Sequence, residues 1–220
     1  MIQLIAFLGN YGREYERTRH NTAWMFASSL PFAGRLSWAE KYKSDFCSVS
    51  YGDFAGWLAA CGLLKPRDDG SLPVPADAPP RLFFMKPLTY MNLSGDAVGE
   101  AAHFFKIPPS DILIVHDEIE LPLGTVSLKW GGGLGGHNGL RSVKAVLGTA
   151  DFWRLRFGTG KPVHGSVADF VLGRFSDDEE IVLSQVFPQT AGMFARLLTA
   201  KDPARLVPEW GKKKLSAETV

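Results

Sequence analysis

Short apolar runs alternate with amphipathic segments along this 220-residue chain, and that alternation constrains its fold more than any other feature. Residues 2–8 form a nearly continuous apolar run, which is typical of a strand buried on both faces of a sheet. Residues 92–105 instead repeat their apolar side chains at helical spacing. Because strands that alternate with helices pack into a covered sheet, the sequence predicts a single α/β domain. We expect a mixed, largely parallel, twisted sheet with helices on both faces.

Other segments fit the same pattern. Further strands are predicted at 81–86, 112–116, 125–130 and 152–157, and further helices at 21–30, 137–147 and 177–198. The strand at 125–130 alternates like an exposed edge strand, and Pro188 is expected to interrupt or bend the last helix. Residues 46–51 and 54–61 are predicted to form a hairpin that turns at Gly52-Asp53.

The chain is expected to form one domain over residues 1–220. Residues 65–80 hold five prolines among acidic residues and glycine, so they are predicted to form a surface loop. Residues 212–220 begin with three lysines and continue with mainly polar residues, which predicts a flexible tail.

Bulk composition restricts the class of protein. The net charge is only +1, so a nucleic-acid partner would need a local basic patch. Cys47 and Cys61 form no C-x-x-C pair, and the five histidines show no metal-ligand spacing, so no metal is expected. No segment approaches the ~20 apolar residues of a membrane span, and residues 1–5 lack a basic leader. These observations favour a cytoplasmic protein that does not bind membranes.

The densest functional signal is a glycine-rich stretch at residues 130–139. Five of the six positions from Gly131 to Gly136 are glycine, and His137-Asn138 follows at the start of a predicted helix. Glycine is retained where the backbone bends sharply or approaches another group closely, and the Asn138 amide can both donate and accept hydrogen bonds. This pattern favours a binding site at a loop-to-helix junction over a plain flexible linker.

Three further segments carry similar polar residues beside turns. They are residues 8–21 with Asn10, Tyr15 and His20, residues 86–95 with Met91 and Asn92, and residues 114–122 with Asp117. Together with the glycine-rich stretch, these segments resemble bacterial peptidyl-tRNA hydrolases in their order and spacing. The resemblance extends from the N-terminus to Gly173 and is loose beyond it.

The residues alone leave the roles of the titratable groups open. His20 precedes a predicted helix, where the helix dipole disfavours an imidazolium, yet a lone histidine there is more often a surface or capping residue. A carboxylate at the end of the apolar strand could orient it, as in a triad whose nucleophile is water. Asp117, Glu118 and Glu120 all qualify, and the resemblance matches Asp117.

The resemblance implies a single catalytic domain that hydrolyses the ester between a peptide and tRNA, without metal or cofactor. His20 would be the general base on water, Asp117 would orient His20, and Asn138 would position the water or the oxyanion. The implied substrate-binding set is Asn10, Tyr15, Met91, Asn92, His137 and Asn138, and the implied tRNA-phosphate contacts are Lys129 and Arg156. We expect peptidyl-tRNA as the partner of a monomer that needs no protein partner.

Two departures from the family pattern keep alternatives open. Phe7 replaces a glycine and could narrow the space beside Asn10, and Tyr11 replaces a proline, which could loosen that loop. A noncatalytic tRNA- or RNA-binding relative is therefore one alternative. A dinucleotide-binding protein is another, because Gly131-x-Gly133-x-x-Gly136 matches G-x-G-x-x-G, although the acidic residue expected at the end of the next strand is missing.

Overall fold

An eight-stranded mixed sheet forms the centre of the computed structural model, which describes residues 1–215. The strands are β1 (Leu4–Phe7), β2 (Ala39–Lys41), β3 (Ser44–Ser50), β4 (Arg81–Pro87), β5 (Ile112–Glu118), β6 (Thr125–Trp130), β7 (Trp153–Gly158) and β8 (Lys213–Lys214). Their order is β2-β3-β4-β1-β5-β7-β6-β8. The central strands β4, β1, β5 and β7 are parallel, and the flanking strands pair antiparallel.

Helices cover both faces of this sheet. They are α1 (Thr22–Ser29), α2 (Tyr51–Ala60), α3 (Ser94–Phe105), α4 (Asn138–Leu147), α5 (Val167–Leu172), α6 (Asp177–Thr199) and α7 (Val207–Trp210). One core lies between the sheet and α1, α2, α6 and α7, and a second core lies between the sheet and α3 and α4. The predicted α/β fold with helices on both faces is confirmed.

Alternation along the central strands explains why two cores form. In β1, Leu4 and Ala6 belong to the core under α3 and α4, whereas Ile5 and Phe7 belong to the opposite core. Every side chain of β1 is buried, as expected for a parallel strand covered on both faces. The continuous apolar run is therefore required by the position of β1 at the centre of the sheet.

The predicted hairpin at residues 46–61 is wrong. Its first half is β3, but its second half is α2, which begins directly after Ser50. The Ser50 side chain accepts a hydrogen bond from the Asp53 N–H at 3.0 Å, so it caps a helix where Gly52-Asp53 suggested a turn. Strand β3 pairs instead with β4 and with the short strand β2, which the sequence did not reveal.

Two expectations about the C-terminal half concerned Pro188 and β6. Helix α6 runs through Pro188, so the predicted interruption is wrong, while a bend there stays a prediction; the helix begins at a capping box between Ser176 and Glu179. The burial of Val186, Phe187 and Ala191 around the proline explains why the helix persists. The expectation of an exposed edge strand at 125–130 is wrong, because β6 is mostly buried and β8 pairs with its first two residues, Thr125 and Val126.

The proline-rich segment lies between α2 and β4. It contains no helix or strand, but Val74 and Ala78 pack partly against the core, and Asp77 pairs with Lys201 at 3.1 Å. Within residues 1–215, no helix is long and apolar enough to cross a membrane. Of the predicted tail, Lys213–Lys214 forms β8, and residues 216–220 lie outside the described part of the chain.

Candidate active site

The carboxyl ends of the central parallel strands bring most of the predicted site residues together. Asn10 follows β1, Met91 and Asn92 follow β4, and Asp117 is the penultimate residue of β5. Because parallel strands end at the same edge of a sheet, segments far apart in sequence meet there. His20 reaches this edge from the 3-10 helix Arg19–Asn21, which leads into α1.

His20 and Asp117 form the centre of the site. The His20 Nδ1 lies 2.8 Å from Asp117 Oδ1 and 3.0 Å from Oδ2, and Asp117 is only 1% exposed. An ionised carboxylate only accepts hydrogen bonds, so His20 carries its proton on Nδ1. The lone pair of the neutral ring is then on Nε2, which is the nitrogen available to accept a proton from a ligand.

Asp117 also accepts a hydrogen bond from a second histidine. The His137 Nε2 lies 2.9 Å from Asp117 Oδ1, and the rings of His20 and His137 contact each other at 4.9 Å. His137 also caps α4, because its Nδ1 accepts from the Gly139 and Leu140 N–H groups at 3.1 and 3.3 Å. These donors fix the proton of His137 on Nε2, directed at Asp117.

The two histidines change the acidity of the carboxyl group. Burial opposes ionisation of Asp117, but the electrostatic attraction of His20 and His137, with their hydrogen bonds, outweighs burial. The pKa of Asp117 is consequently held below its usual value. The site therefore keeps a permanent carboxylate facing two imidazole N–H groups.

Asn10 is built into the framework beside this centre. Its backbone N–H donates to Asn21 Oδ1 at 2.8 Å, and its carbonyl accepts from Asn21 Nδ2 at 2.9 Å. The Asn10 Oδ1 accepts the Met91 N–H at 2.7 Å, which ties the loop after β1 to the loop after β4. With this oxygen engaged, the Asn10 amide NH2 is the group left to donate to a ligand.

Two adjoining cavities open at these residues. The first, of about 390 Å³, is lined by His20, Asp117, His137 and Asn138 together with α5. The second, of about 300 Å³, is lined by the predicted peptide-binding residues Asn10, Tyr15, Met91, Asn92 and Asn138. His20 and Asn138 line both cavities, so the histidine lies where they meet.

Lys129 and Arg156 lie on one face of the strand pair β6–β7, and neither lines these cavities. Arg156 donates to Ser127 Oγ at 2.7 Å and pairs with Glu118 at 3.3 Å. Lys129 is the register partner of Arg154. Burial, followed by repulsion from Arg154 and Arg156, lowers the pKa of Lys129. The structure thus gathers three cations around one carboxylate.

Comparison with known proteins agrees with this architecture. The family model described as peptidyl-tRNA hydrolase matches residues 4–217. A peptidyl-tRNA hydrolase of Treponema pallidum is 43% identical over 97% of this chain and 96% of its own length. That of Halorhodospira halophila is 42% identical over 90% of this chain and 91% of its own length.

The chain belongs to the peptidyl-tRNA hydrolase family. A crystal structure of peptidyl-tRNA hydrolase from Acinetobacter baumannii superposes with a TM-score of 0.72 at 29% identity, covering 94% of this chain and 91% of that one. The resemblance drawn from the four segments is confirmed, and the match extends beyond Gly173 to residue 217.

The two departures from the pattern of peptidyl-tRNA hydrolases do not disrupt the site. Phe7 is fully buried and packs against Phe26 and Phe194 in the core, so its ring does not enter the space beside Asn10. Tyr11 is 58% exposed, and its N–H, which proline would lack, donates to the Thr89 carbonyl at 3.3 Å. The hydrogen bonds of Asn10 and Tyr11 hold the loop in place.

The dinucleotide-binding alternative fails on topology. The glycine-rich stretch follows β6, which pairs antiparallel with β7, whereas the dinucleotide motif requires a parallel strand-helix-strand unit. Its glycines serve backbone conformation instead, because Gly131, Gly132, Gly135 and Gly136 all have positive φ angles, which favour glycine.

A metal site requires separate consideration because His20, Asp117 and His137 offer ligand atoms within 4.8 Å of one another. The sequence spacing could not reveal this cluster. A metal ion would need the lone pair of His137 Nε2, which moves the proton to Nδ1. There the N–H groups of Gly139 and Leu140 oppose it. The hydrogen-bond donors therefore suit a carboxylate-imidazole pair and do not fit a metal.

Sequence reasoning missed several residues of the site. Asn21 is fully buried and holds the Asn10 backbone, but in the sequence it is only the last residue of the 8–21 segment. The contacts of His116, Glu118 and Arg154 depend on strand register across β5, β6 and β7. The sequence indicates Glu118 as a candidate carboxylate but not its ion pair with Arg156, and only the position beside Asp117 could have singled out His116.

Proposed function

We propose that this protein hydrolyses the ester of peptidyl-tRNA with a water molecule activated by His20, and that Asp117 and His137 hold His20 in its basic tautomer. Family membership makes the chain an enzyme that hydrolyses peptidyl-tRNA. The observation that carries the mechanism is the hydrogen bond from His20 Nδ1 to Asp117 at 2.8 Å, at the junction of two cavities.

The reaction follows from this tautomer. His20 Nε2 accepts a proton from water as the water oxygen attacks the ester carbonyl, and Asp117 stabilises the imidazolium that forms. The carbonyl oxygen becomes an oxyanion, for which the neutral amide of Asn138 at the start of α4 is a suitable donor. Collapse breaks the bond to the ribose oxygen, which takes the proton from His20. The products are a peptide carboxylate and a free tRNA hydroxyl.

The second cavity suits the peptide. Asn10 and Asn92 offer neutral amides that match the donors and acceptors of a peptide backbone. Met91 and Tyr15 add apolar surface at the same cavity. We assign these residues to the peptide because the cavity ends at His20, where the ester must lie.

The basic cluster on β6 and β7 suits the tRNA. Lys129, Arg154 and Arg156 repel one another, and a phosphate group would relieve that repulsion. Lys129 is the most available of the three, because Arg156 is paired with Glu118 and Arg154 is buried and donates to the Gly133 carbonyl at 2.8 Å. The proposal includes action as a cytoplasmic monomer without metal, cofactor or protein partner.

Substitution of the base tests the mechanism. His20→Ala should lower kcat by about 10²- to 10⁴-fold, because it removes the group that accepts the proton of water. The control is His103→Ala, at an exposed position that lines a groove at the far end of α3. Single-turnover hydrolysis of a synthetic peptidyl-tRNA should be unchanged in the control, whereas full activity of a folded His20→Ala protein would remove His20 from the mechanism.

A chelator arm separates the metal-free reaction from a metal-assisted one. The cluster of His20, Asp117 and His137 is the observation that would favour metal assistance. We expect the same rate before and after exhaustive dialysis against EDTA. Loss of activity that returns on addition of Zn²⁺ would show that the cluster ligates a metal during catalysis. A folded wild-type protein that binds peptidyl-tRNA without cleaving it would indicate the noncatalytic alternative.

A further inference from the structure

We propose that His116 is a positioning residue, which pins the Asp117 carbonyl and the His137 ring so that the Asp117 carboxylate is presented to His20. The inference rests on the proposed function, since it concerns how the carboxylate is aimed. His116 directly precedes Asp117 in β5 and is fully buried. It touches neither cavity, so it acts through its neighbours and not on the substrate.

Two contacts connect His116 to the site. Its Nδ1 lies 2.6 Å from the Asp117 carbonyl oxygen. Its ring meets the His137 ring nearly edge-on, with centroids 4.9 Å apart and planes 75° apart. His116 thereby contacts both the backbone that carries the carboxylate and the second histidine that donates to it.

These contacts fix the protonation of His116. A carbonyl oxygen only accepts, so the proton must be on Nδ1, and Nε2 has no partner among residues 1–215. Burial, followed by His137, lowers the pKa of His116 well below its usual value, and Arg154 adds to this while Asp117 opposes it. His116 is therefore a neutral donor at the pH of the reaction.

The consequence for catalysis is geometric. The Asp117 carboxylate must meet His20 Nδ1 and His137 Nε2 simultaneously, at 2.8 and 2.9 Å. A rotation of the peptide plane after Asp117, or a tilt of the His137 ring, would lengthen at least one of these bonds. Displacements of about 1 Å in a catalytic group can cost 10²-fold in rate, so a buried donor at this carbonyl has a large effect on chemistry.

A matched pair of substitutions isolates the donor. Asparagine places an amide N–H close to the position of imidazole Nδ1. Leucine has the same number of side-chain heavy atoms as asparagine but no hydrogen-bond donor. We expect His116→Leu to lower kcat about ten-fold or more with KM changed less than about two-fold, and His116→Asn to recover most of kcat. His103→Leu is the control for loss of an exposed histidine.

A measurement on the unmodified protein guards against failure of the variants to fold. With ¹⁵N-labelled histidine, two-bond ¹⁵N–¹H correlations distinguish the two neutral tautomers of each ring. We expect His116 as the Nδ1–H tautomer, with a slowly exchanging proton, between pH 6 and 8. An Nε2–H tautomer for His116 would overturn the proposal, because that ring cannot donate to the carbonyl.

The kinetic outcomes are equally decisive. Equal losses of kcat in His116→Leu and His116→Asn that track their losses of thermal stability would show a merely structural residue and overturn the proposal. So would unchanged kcat in a folded His116→Leu protein, or an effect confined to KM. None of these outcomes affects the proposed function, which is tested separately by His20→Ala, by EDTA dialysis and by cleavage of peptidyl-tRNA by the wild-type protein.

Discussion

At the scale of single residues, the site depends on a carboxylate that is shared by two imidazoles. Asp117 Oδ1 accepts from His20 and from His137, and the proton of His137 is fixed by the backbone of α4. If the ring proton of either histidine moved to its other nitrogen, that histidine would lose its hydrogen bond to Asp117. The tautomer of His20 is therefore determined by the fold. The lone pair of His20 Nε2 is thus available before substrate arrives.

The substitution Asp117→Asn tests this arrangement. An amide presents an N–H2 group to one of the two imidazoles, which must then accept with the nitrogen that formerly donated. If that ring is His20, the proton moves to Nε2 and the base is lost. We expect kcat to fall by about 10²- to 10⁴-fold with KM little changed, measured in steady-state hydrolysis of peptidyl-tRNA. An effect on KM alone would make Asp117 a binding residue.

The pKa of Asp117 adds a pH dependence to the same residue. A carboxyl group whose pKa is lowered on folding contributes stability above its unfolded pKa, and that stability is lost as pH falls through the folded pKa. The pKa of Asp117 in the unfolded chain is that of an ordinary aspartate, and its pKa in the folded protein is lower. Asp117 therefore stays ionised down to about pH 4. A decline of kcat/KM between pH 7 and 5, measured as a pH-rate profile, would therefore report the titration of a group other than Asp117.

The sequence allowed the residues of this centre to be predicted, but not the contacts between them. The sequence placed His20, Asp117 and Asn138 beside turns and strand ends, and the family resemblance supplied their roles. The sequence could not show that both ring nitrogens of His137 form hydrogen bonds within the protein, or that Arg156 forms an ion pair with Glu118. Those contacts depend on the register of β5 with β7 and on the closure of the glycine-rich loop, which no local pattern encodes.

At the scale of elements, the close approach of α3 to α4 sets the relative position of the two asparagine loops. Gly95 is the second residue of α3, and its N–H donates to Ser142 Oγ of α4 at 2.9 Å. A Cβ at Gly95 would overlap the Ser142 backbone carbonyl, which cannot move without shifting α4. Asn92 lies just before α3 and Asn138 begins α4, so this contact determines the width of the second cavity.

Gly95→Ala should therefore damage both stability and activity. We expect a loss of about 1–3 kcal/mol in the free energy of unfolding from the forced separation of the helices, measured by urea denaturation. The matched control is Gly56→Ala in α2, where an added Cβ meets no atom within 4 Å. That substitution should stabilise by about 0.5–1 kcal/mol through helix propensity. Equal stability of the two variants would show that α3 and α4 tolerate separation.

The failed hairpin prediction belongs to the same scale. Gly52-Asp53 is a strong turn signal between apolar runs, but Ser50 and Asp53 also satisfy the spacing of a helix cap. The burial of Tyr51, Phe54, Ala55 and Leu58 follows helical spacing and decides between the two readings. Elements with long, consistent periodicity, such as α3, were predicted correctly, because their local pattern and their packing agree.

At the scale of the whole molecule, the cavities and the cationic cluster occupy different parts of the sheet. A net charge of +1 gives no sign of such a cluster. The carboxyl ends of β1, β4 and β5 carry the cavities that we propose for the peptide and the ester, whereas the β6–β7 face carries the cations. With so little diffuse positive charge, binding of a polyanion must depend on this local cluster. Catalysis and tRNA binding should therefore be separable by substitution.

Lys129→Ala tests this separation more selectively than Arg156→Ala. Loss of Arg156 would also remove the ion-pair partner of Glu118, which directly follows Asp117. We expect Lys129→Ala to weaken binding of full-length peptidyl-tRNA and to flatten its salt dependence by about one unit of log-log slope, the loss of one phosphate contact. Lys65→Ala, an exposed lysine of the proline-rich segment, is the control and should leave that slope unchanged.

The second substrate completes the argument. A minimal ester, in which the same peptide is attached to adenosine alone, lacks the tRNA body but keeps the groups that meet His20, Asn10 and Asn92. Lys129→Ala should cleave it at the wild-type rate, whereas Asn10→Ala should impair both substrates, because the peptide end is common to them. Rates and binding constants over a salt series from 50 to 300 mM, values chosen to span about a two-fold change in Debye length, resolve the difference. Equal damage to both substrates by Lys129→Ala would mean that this lysine supports the glycine-rich loop and the catalytic centre, and the division between the carboxyl ends of the strands and the β6–β7 face would be wrong.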